Sequence, residues 1–236
     1  LLGIFPLIAK KIVDAIKARK VYARWAAVRP ARFERNLVVI GAGSAGLVTS
    51  LIGAAVKAKV TLVEKHQMGG DCLNTGCVPS KALLRSAKFV YQAGRAEKLG
   101  IKTATVEFDF ADVMERVQRV VKTIEPHDSV ARYTELGVEC IQGEAKLISP
   151  WEVEITSGKS EKIRLTTRSI VIATGARPFI PPIPGIEQMD CLTSENIWKL
   201  RALPRRLVVL GGGPIGSELT QAFARLGARV GAGRGR

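Results

Sequence analysis

Cys72 and Cys77 stand five residues apart in the run Gly69-Gly70-Asp71-Cys72-Leu73-Asn74-Thr75-Gly76-Cys77-Val78-Pro79-Ser80-Lys81. A structural disulfide gains most by closing a long loop and does not persist in a reducing cytosol. A bridge this short closes almost nothing, so the pair reads as redox chemistry. In a regular helix, residues five apart differ by about 7.5 Å in rise and do not share a face. Joining the two sulfurs therefore requires a distorted first turn, for which Asn74 and Gly76 supply the freedom. A helix that starts here and runs through Ser80, Lys81 and Ala82-Leu83-Leu84 places Cys77 near its positive end. Its dipole and unpaired N–H groups would lower the thiol's pKa. Pro79 suits an early helical position, where its missing donor costs nothing.

The elements needed to position such a pair surround it. Upstream, Asn36-Leu37-Val38-Val39-Ile40 reads as a short buried parallel strand, followed by Gly41-Ala42-Gly43-Ser44-Ala45-Gly46 and an apolar helix to about Val56. A second strand, Val60-Thr61-Leu62-Val63, ends in Glu64, eighteen residues after Gly46, with Lys65 next. Glycines at this spacing allow a tight turn and close approach to a pyrophosphate at a helix N-terminus, while the acid accepts from a ribose hydroxyl. The unit recurs 170 positions later, where Arg206-Leu207-Val208-Val209-Leu210 leads into Gly211-Gly212-Gly213-Pro214-Ile215-Gly216 and a helix from Ser217 to Leu226. Gly41, Gly43 and Gly46 correspond to Gly211, Gly213 and Gly216, and Val60 to Val230. Two dinucleotides are implied.

Between the two units, Ser169-Ile170-Val171-Ile172-Ala173-Thr174-Gly175 is an apolar strand that stops at small residues and meets a Pro-rich crossing, Pro178 to Gly185. Small residues at a strand's C-terminal end let a flat cofactor approach the backbone. Phe110 to about Leu136 reads as one long amphipathic helix, with Val113, Val117, Val120, Val121 and Ile124 at helical spacing. Val138-Glu139-Cys140-Ile141, Ala145-Lys146-Leu147-Ile148, Trp151 to Ile155 and Ile163-Arg164-Leu165 read as short strands of a small antiparallel layer covering the parallel sheet. The fold class is therefore α/β. It comprises a basic N-terminal helix or linker over 1–35, a Rossmann-like domain with the cysteine pair over 36–185, and a partial second Rossmann-like unit over 186–236.

Composition bounds the function. At 236 residues and 47% hydrophobic content, the chain has ample core for one large or two small domains. Four cysteines and no secretory signal point to a reducing, cytoplasmic setting. Cys140 and Cys191 have neither close spacing nor histidine neighbours, and read as core thiols; no metal site is expected. His66 and His127 lack partner spacing and read as structural or solvated. Of the net charge of +15, residues 1–36 carry nine Lys or Arg against Asp14 and Glu34, or +7. The rest is scattered without a nucleic-acid motif, so no nucleic-acid partner is expected. Lys10, Lys11, Lys17, Arg19, Lys20 and Arg24 alternate with Ile12, Val13, Ile16, Val21 and Trp25, a basic amphipathic pattern too short to span a bilayer. Such a segment, residues 1–28, can lie on an anionic membrane face; a linker helix packed on the catalytic domain is the alternative.

Fingerprint, Glu64, GGxCxNxGCxPSK, ATGARP and GGGPIGSE, in this order over about residues 36–230, resemble the class I pyridine nucleotide-disulfide oxidoreductases. That family includes dihydrolipoamide dehydrogenase, glutathione reductase and mercuric reductase. The wording of the cysteine motif is most similar to the mercuric reductase-like branch.

The resemblance implies FAD at Gly41, Gly43, Ser44, Ala45 and Gly46, with Glu64 and Lys65 at its adenosine ribose and the backbone near Ala145 holding the adenine. Gly70, Asp71, Thr174 and Gly175 would also lie against it. Cys77 would be the flavin-side, charge-transfer thiol and Cys72 the interchange thiol. Lys81 would approach flavin N5 and pair with Glu218. NAD or NADP would occupy Gly211, Gly213, Pro214, Ile215 and Gly216, and hydride would pass from nicotinamide to flavin and its electrons on to the disulfide. The substrate would be a small molecule, a disulfide, a dithiol or a metal ion. Full-length relatives are homodimeric and carry a His-Glu base in a dimerisation domain with no counterpart here, so this chain alone is expected to turn over weakly or not at all and to bind FAD less tightly. Gly231-Ala232-Gly233-Arg234, where Thr61 to Glu64 stand in the first unit, is expected to lack the apolar strand, and Arg234 would suggest NADP. A non-catalytic or membrane-tethered nucleotide-binding flavoprotein module is the alternative.

Overall fold

The computed structural model describes residues 5–158 and 161–233. In chain order the elements are α1 (Phe5–Tyr22), β1 (Arg35–Ile40), α2 (Ser44–Ala55), β2 (Val60–Glu64), α3 (Gly70–Asn74), α4 (Cys77–Ala93), α5 (Phe110–Ile124), α6 (Val130–Glu135), β3 (Val138–Gln142), β4 (Glu144–Ser149), β5 (Glu152–Ser157), β6 (Glu161–Ile172), β7 (Arg206–Leu210), α7 (Pro214–Arg225) and β8 (Arg229–Gly233). They fall into two compact units, Leu1–Gln67 with Tyr133–Thr174, and Met68–Arg132 with Gly175–Arg236.

The first unit is built on a six-stranded sheet in the order β3-β2-β1-β6-β5-β4. β1 lies parallel to β2, with Leu37 opposite Val60, and to β6, with Leu37 opposite Ser169. Pattern alone assigns β3 to the antiparallel layer; it instead extends the parallel edge, Val138 opposite Val60. A five-residue apolar strand carries no mark of direction, so only its partner decides. The strands expected at 163–165 and 169–174 are one, β6, whose first half runs antiparallel to β5 and whose second half runs parallel to β1. The antiparallel part does cover the parallel part: Val153, Ile155 and Leu165 pack with Val38 and Val63 in one buried cluster. Burying each such side chain contributes about 1.5–3 kcal/mol.

α1 carries Ile8, Ile12, Val13 and Ile16 exposed. Its end is held by Tyr22 against Trp151, ring centroids 5.3 Å apart, and Arg29 lies 5.3 Å from the same ring. Among the described residues no helix is long and apolar enough to cross a membrane.

In the second unit α4, α5 and α7 share a core of Leu83, Ala87, Phe110, Met114, Val117, Trp198, Phe223 and Leu226. Asp109 caps α5, its carboxylate accepting from the Ala111 N–H at 2.7 Å. Apolar spacing carries the helix to Leu136, but it ends at Ile124, and a 3-10 turn over Glu125–Asp128 intervenes before α6. Pro126 has no N–H to continue the helical ladder. Contrary to expectation, the Gly-rich tail does form a strand: β8 pairs parallel with β7, Leu207 opposite Val230, the register that Leu37 and Val60 share in the first unit. The ladder draws on backbone groups, which Gly231 and Gly233 supply as well as any residue. Arg234 lies outside the described residues.

Candidate functional site

The first Gly-rich turn joins β1 to α2. Gly41 has φ +102°, and a Cβ there would overlap the Ala173 carbonyl oxygen at the end of β6, so no larger residue fits. Gly46 is equally confined, by the Gly41 oxygen. Gly43 is the N-cap of α2, and the first helical bond is Leu47 N–H to Gly43 O at 2.9 Å. The N–H groups of Ser44, Ala45 and Gly46 therefore have no partner within the helix, with Ser44 and Ala45 exposed. Glu64 closes the turn: one carboxylate oxygen accepts from Ala42 N–H at 2.6 Å and the other from His66 N–H at 2.7 Å. Lys65 pairs with Glu144 at 2.9 Å, beside Ala145 on β4. Thr174 follows β6 and is exposed. Free donors at a helix head, a carboxylate beside them and a closely approached strand end fit a dinucleotide's pyrophosphate and ribose.

The cysteines sit at the joint between α3 and α4. Thr75 (φ −136°, ψ −3°) and Gly76 (φ −122°, ψ −105°) break the helical path. A Cβ at Gly76 would lie 2.8 Å from the Asp71 oxygen, and Thr75 N–H donates to that same oxygen at 2.9 Å. Asn74 acts otherwise than expected: its side-chain amide donates to Met68 O at 3.0 Å and Gly70 O at 2.9 Å, tying down α3. Asp71 lies near Gly175, where a Cβ would come 3.8 Å from its carboxylate.

Cys77 heads α4 and is exposed, while Cys72 is half-buried; both are free thiols. A helix head alone would lower the Cys77 pKa, but the thiol is pushed up. The neighbouring Cys72 thiol is the main cause, burial adds to it, and Lys81 offsets only part. A thiol beside a second thiol resists ionising into two neighbouring anions. Lys81, one turn along, meets both carboxylate oxygens of Glu218 on α7 at 2.6 and 2.7 Å, so two distant motifs converge.

The second Gly-rich turn repeats the first. Gly211 has φ +104°, Gly213 caps α7, and a Cβ at Gly216 would overlap the Gly211 oxygen. Pro214 and Ile215 form the first turn of α7.

Cys140 and Cys191 lie apart from these sites. Burial pushes the Cys140 thiol up, and the Cys191 sulfur lies 3.8 Å from Ile186 O. Among the described residues no group of three or more His, Cys, Asp or Glu could hold a metal ion. Sequence reasoning missed Trp198, whose indole N–H donates to Thr75 O at 2.8 Å across 123 positions. It also missed Arg35 on β1, which donates to Thr61 on β2 and Glu139 on β3.

Residues 35–232 match the family model described as pyridine nucleotide-disulphide oxidoreductase. The chain is 35% identical over 195 residues to a mercuric reductase of Lysinibacillus sphaericus, covering 83% of this chain and 35% of that protein. It is 38% identical over 199 residues to a dihydrolipoyl dehydrogenase of Geobacillus stearothermophilus, covering 84% and 41%. The HOCl-induced flavoprotein disulfide reductase RclA of Escherichia coli, solved as the Cu(II) complex of a cysteine-to-serine mutant, superposes with a TM-score of 0.70 at 27% identity, covering 85% of this chain and 42% of that one. The chain thus spans less than half the length of these relatives. Mercuric reductases and dihydrolipoyl dehydrogenases use FAD and NADH or NADPH. With two Gly-rich turns, a close cysteine pair and a family match over most of its length, the chain belongs to the pyridine nucleotide-disulfide oxidoreductases.

Proposed function

We propose that this chain is the part of an FAD-dependent NAD(P)H oxidoreductase that relays two electrons through a Cys72–Cys77 disulfide to a disulfide or metal-ion substrate or, in the reverse direction, from a dithiol. The observation that carries the reading is that Cys72 in α3 and Cys77 at the head of α4 flank the break between those helices, one turn from a Lys81 held by Glu218. FAD bound at Gly41–Gly46 would supply acceptance of hydride from a nicotinamide held at Gly211–Gly216. The residues do the rest. The disulfide takes up two electrons and two protons as its S–S bond opens. Cys72 attacks substrate as a thiolate while Cys77 stays on the cofactor side. Lys81 favours negative charge nearby, and Glu218 keeps that ammonium oriented.

The test is anaerobic titration of the FAD-loaded chain with about two electron equivalents. A red-shifted absorbance band is expected, and it should vanish in Cys77→Ser. Simple bleaching of the wild-type chain would instead favour a nucleotide-binding module without disulfide chemistry.

We also place residues 5–28 on an anionic membrane surface. α1 and the turn after it pair an exposed run of Ile8, Ile12, Val13 and Ile16 with Lys10, Lys11, Lys17, Arg19, Lys20 and Arg24. Co-sedimentation with vesicles containing phosphatidylserine, and none with purely zwitterionic ones, is expected. Equal recovery with both would sink the placement.

A further inference from the structure

Trp198 is 5% exposed, in a 3-10 turn over Ile197–Lys199. The turn is built to hold it: Asn196 accepts from Thr193 N–H at 2.6 Å and donates to Cys191 O at 3.0 Å. The ring packs in the cluster that contains Ala82 and Leu83 of the cysteine helix, Phe223 of α7 and Leu226 just after it. Packing alone would be satisfied by phenylalanine. The indole N–H, however, is shared between two carbonyls, Ser194 O at 2.7 Å and Thr75 O at 2.8 Å. Thr75 is half of the break between Cys72 and Cys77. The other half, Gly76, has no room for a Cβ beside the Asp71 oxygen. One donor anchored in the core thus fixes the only irregular backbone between the two sulfurs.

We propose that Trp198 is a positioning residue for the Cys72–Cys77 pair, holding the Thr75 carbonyl so that the two sulfurs stay within bonding reach. The inference rests on the redox reading of that pair. Without the N–H, Thr75 O loses a buried partner and the break relaxes. Cys72 then leaves Cys77 more often, and the effective concentration of one thiol at the other falls.

The exchange to be measured balances. The dithiol and one glutathione disulfide give the protein disulfide and two glutathione thiols; one S–S bond forms between Cys72 and Cys77, one breaks in glutathione disulfide, and both protons end on glutathione. The full chain is equilibrated in glutathione buffers and the Cys72–Cys77 disulfide quantified by alkylation and peptide mass mapping. Trp198→Phe, which keeps a ring in the core, is expected to lower the equilibrium constant about fivefold, the scale of one hydrogen bond. Leu226→Ala is the control. It loosens the same cluster without touching Thr75, and should change the constant less than about twofold although it costs more stability.

A Trp198→Phe constant within about twofold of the wild type overturns the proposal, as does an equal shift in Leu226→Ala, which would mark a merely structural role. A wild-type chain that forms no Cys72–Cys77 disulfide even in excess glutathione disulfide overturns the redox reading itself. Should Trp198→Phe fail to fold, the Trp25→Phe/Trp151→Phe chain, in which Trp198 is the sole indole, carries the test. Its emission should differ between oxidised and reduced pairs, and identical emission in both states overturns the proposal.

Discussion

Gly41 and Gly211 have nearly the same backbone angle, φ +102° and +104°, yet a Cβ at 41 would overlap the Ala173 oxygen, whereas at 211 no described atom lies within 4 Å. The difference lies in what flanks each strand. β1 is paired on both sides, by β2 and β6, and Val38 and Val39 are fully buried. Among the described residues β7 is paired by β8 alone, and Val208 is 73% exposed. The helix heads differ too. The first offers N–H groups at 44, 45 and 46, while Pro214 removes one donor from the second. Gly-rich spacing and a short strand are therefore enough to set the turn and the register. The cradle's wall comes from a third strand far away in sequence. A nucleotide fingerprint encodes the approach to the ligand, and the surrounding sheet encodes its confinement.

Alanine at the two positions separates these contributions and should give the largest effect. Both substitutions carry the strain of a side chain at positive φ, of order 1–3 kcal/mol. Only Gly41→Ala also collides with backbone, so its strand must shift. Hydrogen exchange of the β1 and β7 peptides, which keeps the two units separate, should show loss of protection by about 3 kcal/mol or more at β1 for Gly41→Ala and by about 1 kcal/mol at β7 for Gly211→Ala. Equal losses would mean that the wall at Ala173 contributes nothing.

The same contrast explains what could be read from the sequence. The turns, the Leu37–Val60 register and the start of α4 at Cys77 are local: glycines, alternation and a proline near a helix head state them directly. The end of α5 is also written in Pro126, although apolar spacing beyond it suggests continuation. β3 is not legible, because Val138–Gln142 is equally good on either edge of a sheet. β8 escapes a sequence reading because its glycines hide a strand made by backbone pairing. At the site, the family resemblance pairs Lys81 with Glu218, and geometry brings them to 2.6 Å. The Cys77 pKa runs opposite to expectation because helix polarity is visible in a sequence and the effect of a neighbouring thiol is not. Trp198 is invisible for a similar reason, since its partner carbonyl belongs to a backbone break 123 positions away.

The ion pairs sharpen the comparison with a smaller effect. In the first unit Arg35, with its side chain 14% exposed, donates to Glu139 at 2.7 Å and to Thr61 at 2.8 Å, and Thr61 in turn donates to Glu139 at 2.6 Å. In the second, Lys81 and Glu218 are 61% and 36% exposed. Arg35→Met strips a charged donor from a network that is enclosed at Arg35 and Thr61 but 47% exposed at the Glu139 side chain, and should cost about 1–1.5 kcal/mol. Lys81→Met should cost less than about 1 kcal/mol, as solvent-screened pairs do, whatever it does to redox chemistry.

Acidity distinguishes the two further. Burial pushes the Glu139 carboxyl up, but the Thr61 and Arg35 hydrogen bonds and the Arg35 charge outweigh it, leaving the group below its ordinary 4.5. A carboxylate depressed on folding adds stability above its unfolded value and loses it as pH falls through the folded one. The first unit should therefore weaken as pH drops below about 4.5, helped by Glu154, which the Lys162 and Arg164 hydrogen bonds also hold low. Arg35→Met should flatten that acid limb, measured as hydrogen-exchange protection of β1 and β2 at neutral pH and near pH 4, because the Glu139 contribution is then already lost. An unchanged slope would mean that Arg35 and Glu139 are neighbours without being coupled.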